Sequence, residues 1–273
     1  VATGLVPRRH GIVGYQMWFE GISPPVNVLR WTSPWGDPIE ADYAAVLPAP
    51  NLWERLSAGG VEPITVQPGH FADSPLSRML YRGCRLEPAW SAQDLIDATL
   101  DLASKPRRFV LTYVPHVDVA AHTSGQSSNE YDDAMRVVGR IWDQLAARLP
   151  GGSALLGTAD HGHVDYVGDA VVEVKEPSEV GFAGEPRALY ARGPSEALET
   201  LDSLPATLVG GDELLSLWGP EGEDHPRLPD RTPDLCLLAN TGKALLVPSV
   251  GFRWIGFHGG LEPEEREVPL LVA

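Results

Sequence analysis

Phe109-Val110-Leu111-Thr112-Tyr113-Val114 is a short, nearly continuous β-prone run. Such a run suits a strand buried on both faces of a parallel sheet. After a loop, Ser127-Ser128-Asn129-Glu130 has the form of a capping box. Ala134, Val138, Ile141, Leu145 and Leu149 then follow at helical spacing, and Pro150-Gly151-Gly152 ends the helix. Ser153-Ala154-Leu155-Leu156-Gly157-Thr158 is the next candidate strand. Strand, loop, long helix and strand together make the βαβ pattern of an α/β fold, a mostly parallel sheet flanked by helices. Ligands of such sheets collect beyond the carboxyl ends of the strands. The chemistry is therefore expected just after Val114 and just after Thr158.

Upstream, Asn51 to Ala58 reads as a helix with a capping Asn and a Gly59-Gly60 stop, and Val61 to Val66 as a short strand. Ser91 to Ser104 reads as another helix, with Leu95, Ile96, Leu100 and Leu102 near one face. Residues 14–50, dense in Trp, Pro and Gly, read as an ordered but irregular excursion. From about Tyr166 to Val250 the runs shorten and charge, Gly and Pro rise, which suggests a small α+β insert or cap. Val268 to Val272 looks like a strand returning to the main sheet. The expected organisation is a core over 1–165, an insert over 166–250 and a return to the core over 251–273.

The formal net charge of −16 repels nucleic acid and anionic membranes at long range. No nucleic-acid binding is expected. If the substrate is an anion, a local cation has to attract it. No apolar run approaches the roughly eighteen residues of a membrane helix. Cys84 and Cys236 lie far apart and outside any CxxC pair. Two free thiols in a reducing, cytoplasmic compartment are expected, a single disulfide being the alternative. Val1-Ala2-Thr3-Gly4-Leu5 has no charged region, apolar region or cleavage site of a signal peptide, and the chain is expected to start inside a larger protein.

Three clusters carry candidate chemistry. Asp118 and His122 follow the first strand at i,i+4 spacing, which puts a carboxylate and an imidazole on one side of a helical turn. Asp160-His161-Gly162-His163 follows the second strand, and Gly162 would let the backbone turn tightly. Gly256-Phe257-His258-Gly259-Gly260 precedes Pro263 and Glu264-Glu265, which read as a helix start. Each cluster alone also fits a polar turn or a loop histidine. Together Asp118, His122, Asp160, His161 and His258 offer carboxylate and imidazole donors suited to Zn²⁺ and similar ions. They are rather many for one tetrahedral ion and somewhat few for two.

These motifs resemble the type I phosphodiesterase/nucleotide pyrophosphatase branch of the alkaline phosphatase superfamily. Thr3-Gly4-Leu5-Val6-Pro7-Arg8-Arg9-His10-Gly11-Ile12-Val13-Gly14 is similar to the segment that follows the family's nucleophile. The Asp118/His122 pair, Thr158-Ala159-Asp160-His161-Gly162, and His258-Gly259-Gly260 with Glu264-Glu265 and Val268-Pro269-Leu270 match in order and spacing. The resemblance implies an alkaline-phosphatase-like core and two divalent metal ions, usually zinc. Asp118, His122 and His258 would hold one ion, and Asp160 and His161 would help to hold the other. It implies in-line phosphoryl transfer from a small phosphorylated substrate through a phospho-enzyme that water then opens. The Thr or Ser nucleophile and a first-strand Asp would precede Val1, so residues 1–273 alone are expected to turn over no chromogenic phosphodiester.

Two positions depart from the family pattern. Tyr15 stands where the branch often has an Asn that binds a phosphoryl oxygen; its hydroxyl either does the same or its ring packs. That leaves diester and monoester preference open. His163 stands where Met is common, as an outer group or a loop histidine, and His10 is expected to be structural. Phosphomonoesterase and phosphonate hydrolase activity within the superfamily are the alternatives, with a non-catalytic metal-binding domain as the rival from another class.

Overall fold

A computed structural model describes residues 2–248 and 254–273. The domain break expected at 250–251 therefore lies outside the described residues. In chain order the strands are β1 (Gln16–Phe19), β2 (Ile22–Asn27), β3 (Glu62–Pro68), β4 (Arg85–Ala89), β5 (Arg108–Thr112) and β6 (Leu156–Thr158). There follow β7 (Val164–Asp165), β8 (Val171–Glu173), β9 (Gly181–Glu185), β10 (Ala188–Arg192) and β11 (Ala206–Val209). The last are β12 (Leu235–Ala239), β13 (Ala244–Leu246), β14 (Gly256–Phe257) and β15 (Leu270–Val272). The helices are α1 (Pro7–His10), α2 (Leu52–Ala58), α3 (Pro75–Leu80), α4 (Ala92–Ala103) and α5 (His116–Ser124). They continue with α6 (Asn129–Arg148), α7 (Ser195–Leu198), α8 (Gly211–Leu217), α9 (Leu228–Arg231) and α10 (Pro263–Arg266).

Chain contacts divide these elements into two units. The first comprises Val1–Gly4, Asp42–His161 and Val268–Ala273; the second comprises Leu5–Ala41 and Gly162–Glu267.

In the first unit, β4, β3 and β5 form a parallel sheet in that order. The crossovers run through α3 and α4, as a βαβ reading requires. Leu95 and Leu102 of α4 bury against Ile64 and Val66 of β3. Ile96 turns instead toward Ile141 and Leu145 of α6. One helix thus serves two neighbours, because its apolar residues span more than a single stripe. At α2 the Asn51 side chain accepts from the Glu54 amide, and the Glu54 carboxylate accepts from the Asn51 amide, closing a capping box.

Two expectations for this unit change. Ser128, not Ser127, caps α6, its hydroxyl accepting from the Tyr131 amide at 3.1 Å. The third helical residue is then Tyr131, which has no carboxylate to complete a box. And β6 pairs with β15, antiparallel, with Leu270 opposite Thr158 and Val272 opposite Leu156. The sequence predicts β6 as a parallel neighbour of the strand at 109–114. Its ladder is instead with the end of the chain, a pairing too distant along the sequence for local periodicity to signal.

The second unit is built on a four-stranded antiparallel sheet in the order β11-β12-β10-β9. Its side chains alternate between two cores. Phe182, Leu189, Ala191 and Leu237 enter one, closed by Ala197 and Leu201. Ala183, Tyr190 and Cys236 enter the other with Met17, Trp18, Leu214 and Trp218. The short apolar runs of this sheet are thus covered on both faces. The excursion at 14–50 contains more regular structure than expected, since β1 and β2 form an antiparallel hairpin. Its Trp18 and Trp31 are buried, whereas Trp35 is exposed. Cys84 and Cys236 are both free, and burial pushes each thiol up to about 12. Among the described residues no helix is long and apolar enough to cross a membrane.

His10 and His225 in this unit give a pH prediction. Burial, followed by the charge of Arg231, lowers the His225 imidazole to about 4. Burial likewise lowers His10 to about 4. The Nδ1 of His10 accepts from the Ile12 amide and that of His225 from the Arg227 amide, so both rings are used neutral. In the unfolded chain both take up a proton near about 6.5. The folded pKa values are depressed for groups that charge on protonation. Their contribution is therefore full above about pH 6.5 and is lost as pH falls toward 4. Urea midpoints are expected to drop between about pH 7 and about pH 5, and less steeply in His225→Gln. An unchanged slope in the variant would contradict this assignment.

Candidate metal centre

The first cluster grows out of β5. After Thr112 the chain passes Pro115, which has no amide proton to satisfy at a helix start, and enters α5 at His116. Asp118 falls in the first turn, where a carboxylate meets the positive end of the helix. His122 lies one turn on, over the same face, with its Nε2 3.4 Å from the Asp118 Oδ1. Ala120 and Ala121 of the same helix are buried, and their small side chains let it seat closely. The expected i,i+4 geometry is present.

Asp160 and His161 follow β6 as expected. The His161 Nε2 is 3.7 Å from the Asp160 Oδ2, and the Asp160 side chain is largely exposed. Tyr113 links the two clusters of the first unit. Burial first, and then the carboxylates of Asp118 and Asp160, push its hydroxyl up to about 12. Both acids thus act on one phenol, although they follow different strands.

In the second unit, β7 and β14 pair antiparallel, with Phe257 opposite Val164. One further step along that register faces His163 with His258, whose ring centroids stand 5.3 Å apart at 88°. The sequence alone marks His258 as a candidate and His163 as an outer group or a loop residue, because nothing local announces a ladder to a segment so distant. The Nδ1 of His258 is 3.4 Å from a carboxylate oxygen of Glu185, at the end of β9. A carboxylate there orients the ring. Glu185 also accepts from the Tyr15 amide at 3.2 Å. Sequence reasoning missed Glu185, which lies in no motif.

Two glycines make these approaches possible. A side chain at Gly162 would strike the Glu264 carbonyl, and the Gly162 amide donates to the Glu265 carbonyl at 3.0 Å. Its role is close backbone approach, rather than the tight turn the sequence suggests. Gly259 has a φ of 104°, and a Cβ there would press on the Glu185 carboxylate. Tyr15 accepts from the Asn27 side-chain amide at 2.8 Å and meets Trp254 edge-on at 6.0 Å. The His10 Nδ1 accepts from the Ile12 amide at 3.1 Å.

The sequence profile of type I phosphodiesterases/nucleotide pyrophosphatases matches residues 1–181. The chain belongs to that family. It is accordingly a phosphoric ester hydrolase, of a family that typically uses metal ions. No curated protein matches the sequence. Among solved structures, murine ectonucleotide pyrophosphatase / phosphodiesterase 5, in an inactive form in complex with AMP, is similar with a TM-score of 0.71 and 18% identity. That match covers 99% of this chain and 74% of the murine one. Phosphonoacetate hydrolase from Sinorhizobium meliloti 1021, in complex with phosphonoacetate, gives a TM-score of 0.68 at 18% identity over 99% of this chain and 76% of its own. The human ectonucleotide pyrophosphatase / phosphodiesterase 5 gives 0.70 at 16% identity over 99% of this chain and 74% of its own. At these identities the likeness is one of fold, and it agrees with the expected mixed α/β architecture of this type I phosphodiesterase family member.

Proposed function

We propose that the chain carries the metal cradle for hydrolysis of phosphodiesters or nucleotide pyrophosphates. In this reading Asp118, His122 and His258 hold one divalent ion, and Asp160 and His161 help to hold a second, both zinc. The donors fit zinc chemistry, being imidazole nitrogens and carboxylate oxygens. The observation that carries the reading is the pairing of a carboxylate with an imidazole in both clusters, Asp118 Oδ1 3.4 Å from His122 Nε2 and Asp160 Oδ2 3.7 Å from His161 Nε2. Carboxylate oxygens and imidazole nitrogens set side by side are the donors a divalent cation takes.

When bound, the ions would supply positive charge to the phosphoryl oxygens and acidify the nucleophile. The chain's own residues hold and aim. Asp118 and His122 are set by one helical turn, and His258 is aimed by Glu185. Tyr15 lines the substrate side, by its hydroxyl or by its ring. The substrate in this reading is a small phosphorylated molecule.

Metal analysis of the 273-residue chain after zinc loading tests the proposal. Roughly one to two zinc ions per chain are expected. Calorimetric titration with a nucleoside monophosphate should show binding that a chelator abolishes. A chain that stays metal-free under excess zinc, or that binds the nucleotide equally well with chelator present, would sink the reading.

A further inference from the structure

Glu265 is the least exposed carboxylate near the histidine pair, only 2% exposed, and five bonds meet on it. Its Oε1 accepts from the Gly260 amide at 2.9 Å and from Arg187 Nε at 3.0 Å. Its Oε2 accepts from Arg187 Nη2 at 2.9 Å and from the Glu262 amide at 3.2 Å. Its main-chain carbonyl accepts from the Gly162 amide at 3.0 Å. Gly162 directly precedes His163, and Gly260 lies two residues beyond His258. One residue therefore ties down both segments that carry the facing imidazoles.

Stability alone gives a weak reason for such a group. A buried ion pair is often no better than packed apolar side chains of the same volume, whereas it can select one register of the chain. Here the register matters, because β7 and β14 are only two residues each and cannot hold their alignment by ladder bonds alone.

We propose that Glu265, anchored by Arg187, is the positioning residue of the His163/His258 pair and sets both rings before any ion arrives. The zinc arm of the test rests on the metal reading above; the other arm does not. In the metal-free chain the two imidazoles are followed by NMR with labelled histidine, and zinc affinity is measured by competition with a chromophoric chelator. Glu265→Gln keeps the shape and removes the charge. Its His163 and His258 signals are expected to shift and broaden, and its zinc affinity to fall about 10–100-fold. Leu237→Ala, in the buried sheet of the same unit, lowers stability without touching the clamp and should leave both readouts as in the parent. If Glu265→Gln does not fold, Arg187→Lys, which keeps the charge but loses the fork, is read in the same way.

Signals and affinity unchanged in Glu265→Gln, or disturbed equally in Leu237→Ala, would overturn the proposal. A parent chain that binds no zinc would refute the metal reading, and the metal-free imidazole signals would still decide the clamp.

Discussion

Asp118→Ala is expected to lower zinc affinity by more than about 100-fold, beyond the roughly 10–100-fold that outer groups contribute. The fold should scarcely register the change. Asp118 lies in the first turn of α5 with its side chain 39% exposed, so its helix-end contribution is about 0.3–1 kcal/mol. Its partly exposed pairing with His122 adds at most about 1 kcal/mol. Losses of that size move the melting temperature by only about 2–4 °C per kcal/mol. Ligation and stability therefore separate cleanly at this position. Asp118→Asn sharpens the comparison, since it keeps the shape and removes the charge. The measurement is chelator competition together with thermal melting. Full zinc affinity in both variants would remove Asp118 from the ligand set, and with it the idea that the Asp-x3-His turn is a metal motif.

The second large effect is on stability. Arg187→Met is expected to cost about 3–5 kcal/mol, the usual result of breaking a buried ion pair from one side. The Arg187 side chain is 1% exposed and pairs with Glu265 at 2.9 Å and Glu262 at 3.1 Å. It donates to the Asn240 carbonyl at 3.1 Å and to the Lys243 carbonyl, and it lies over the Tyr166 ring at 4.9 Å. Methionine can fill much of the volume but can donate to none of these acceptors. The penalty comes from the acceptors left behind, so removing one of them should return part of it. Arg187→Met/Glu265→Leu is accordingly expected to be more stable than Arg187→Met alone. Urea unfolding checks both statements. A single-variant cost under about 1 kcal/mol would mean that water or a rearranged side chain replaces the guanidinium.

Several local elements could be read directly from the residues. The Asn51 cap, the helix between Ser91 and Ser104, and the strand that begins at Arg108 all appear close to where spacing and end signals put them. The turn carrying Asp118 and His122 was readable for the same reason. A helix brings residues four apart together by its own geometry, whatever surrounds it. Motif resemblance extended this to the family, since ordered motifs survive in a sequence without any knowledge of their contacts.

The pairing of β6 with β15 was not readable, and neither was the meeting of His163 with His258. Each depends on a ladder between segments far apart in the chain, and period-two alternation says which side a residue faces but not which strand lies beside it. Glu185, Arg187 and Glu265 belong to the same class, as does the true task of Gly162. Their significance comes from what stands opposite them in space.

By itself, then, the sequence determined the α/β character, the capped helices and the kinds of donor atom available. Only the tertiary structure decided which histidine faces which, and which buried charges hold them. Short-range order follows from bond geometry within a few residues, whereas a site is made by contacts whose partners the chain reaches only once it has folded.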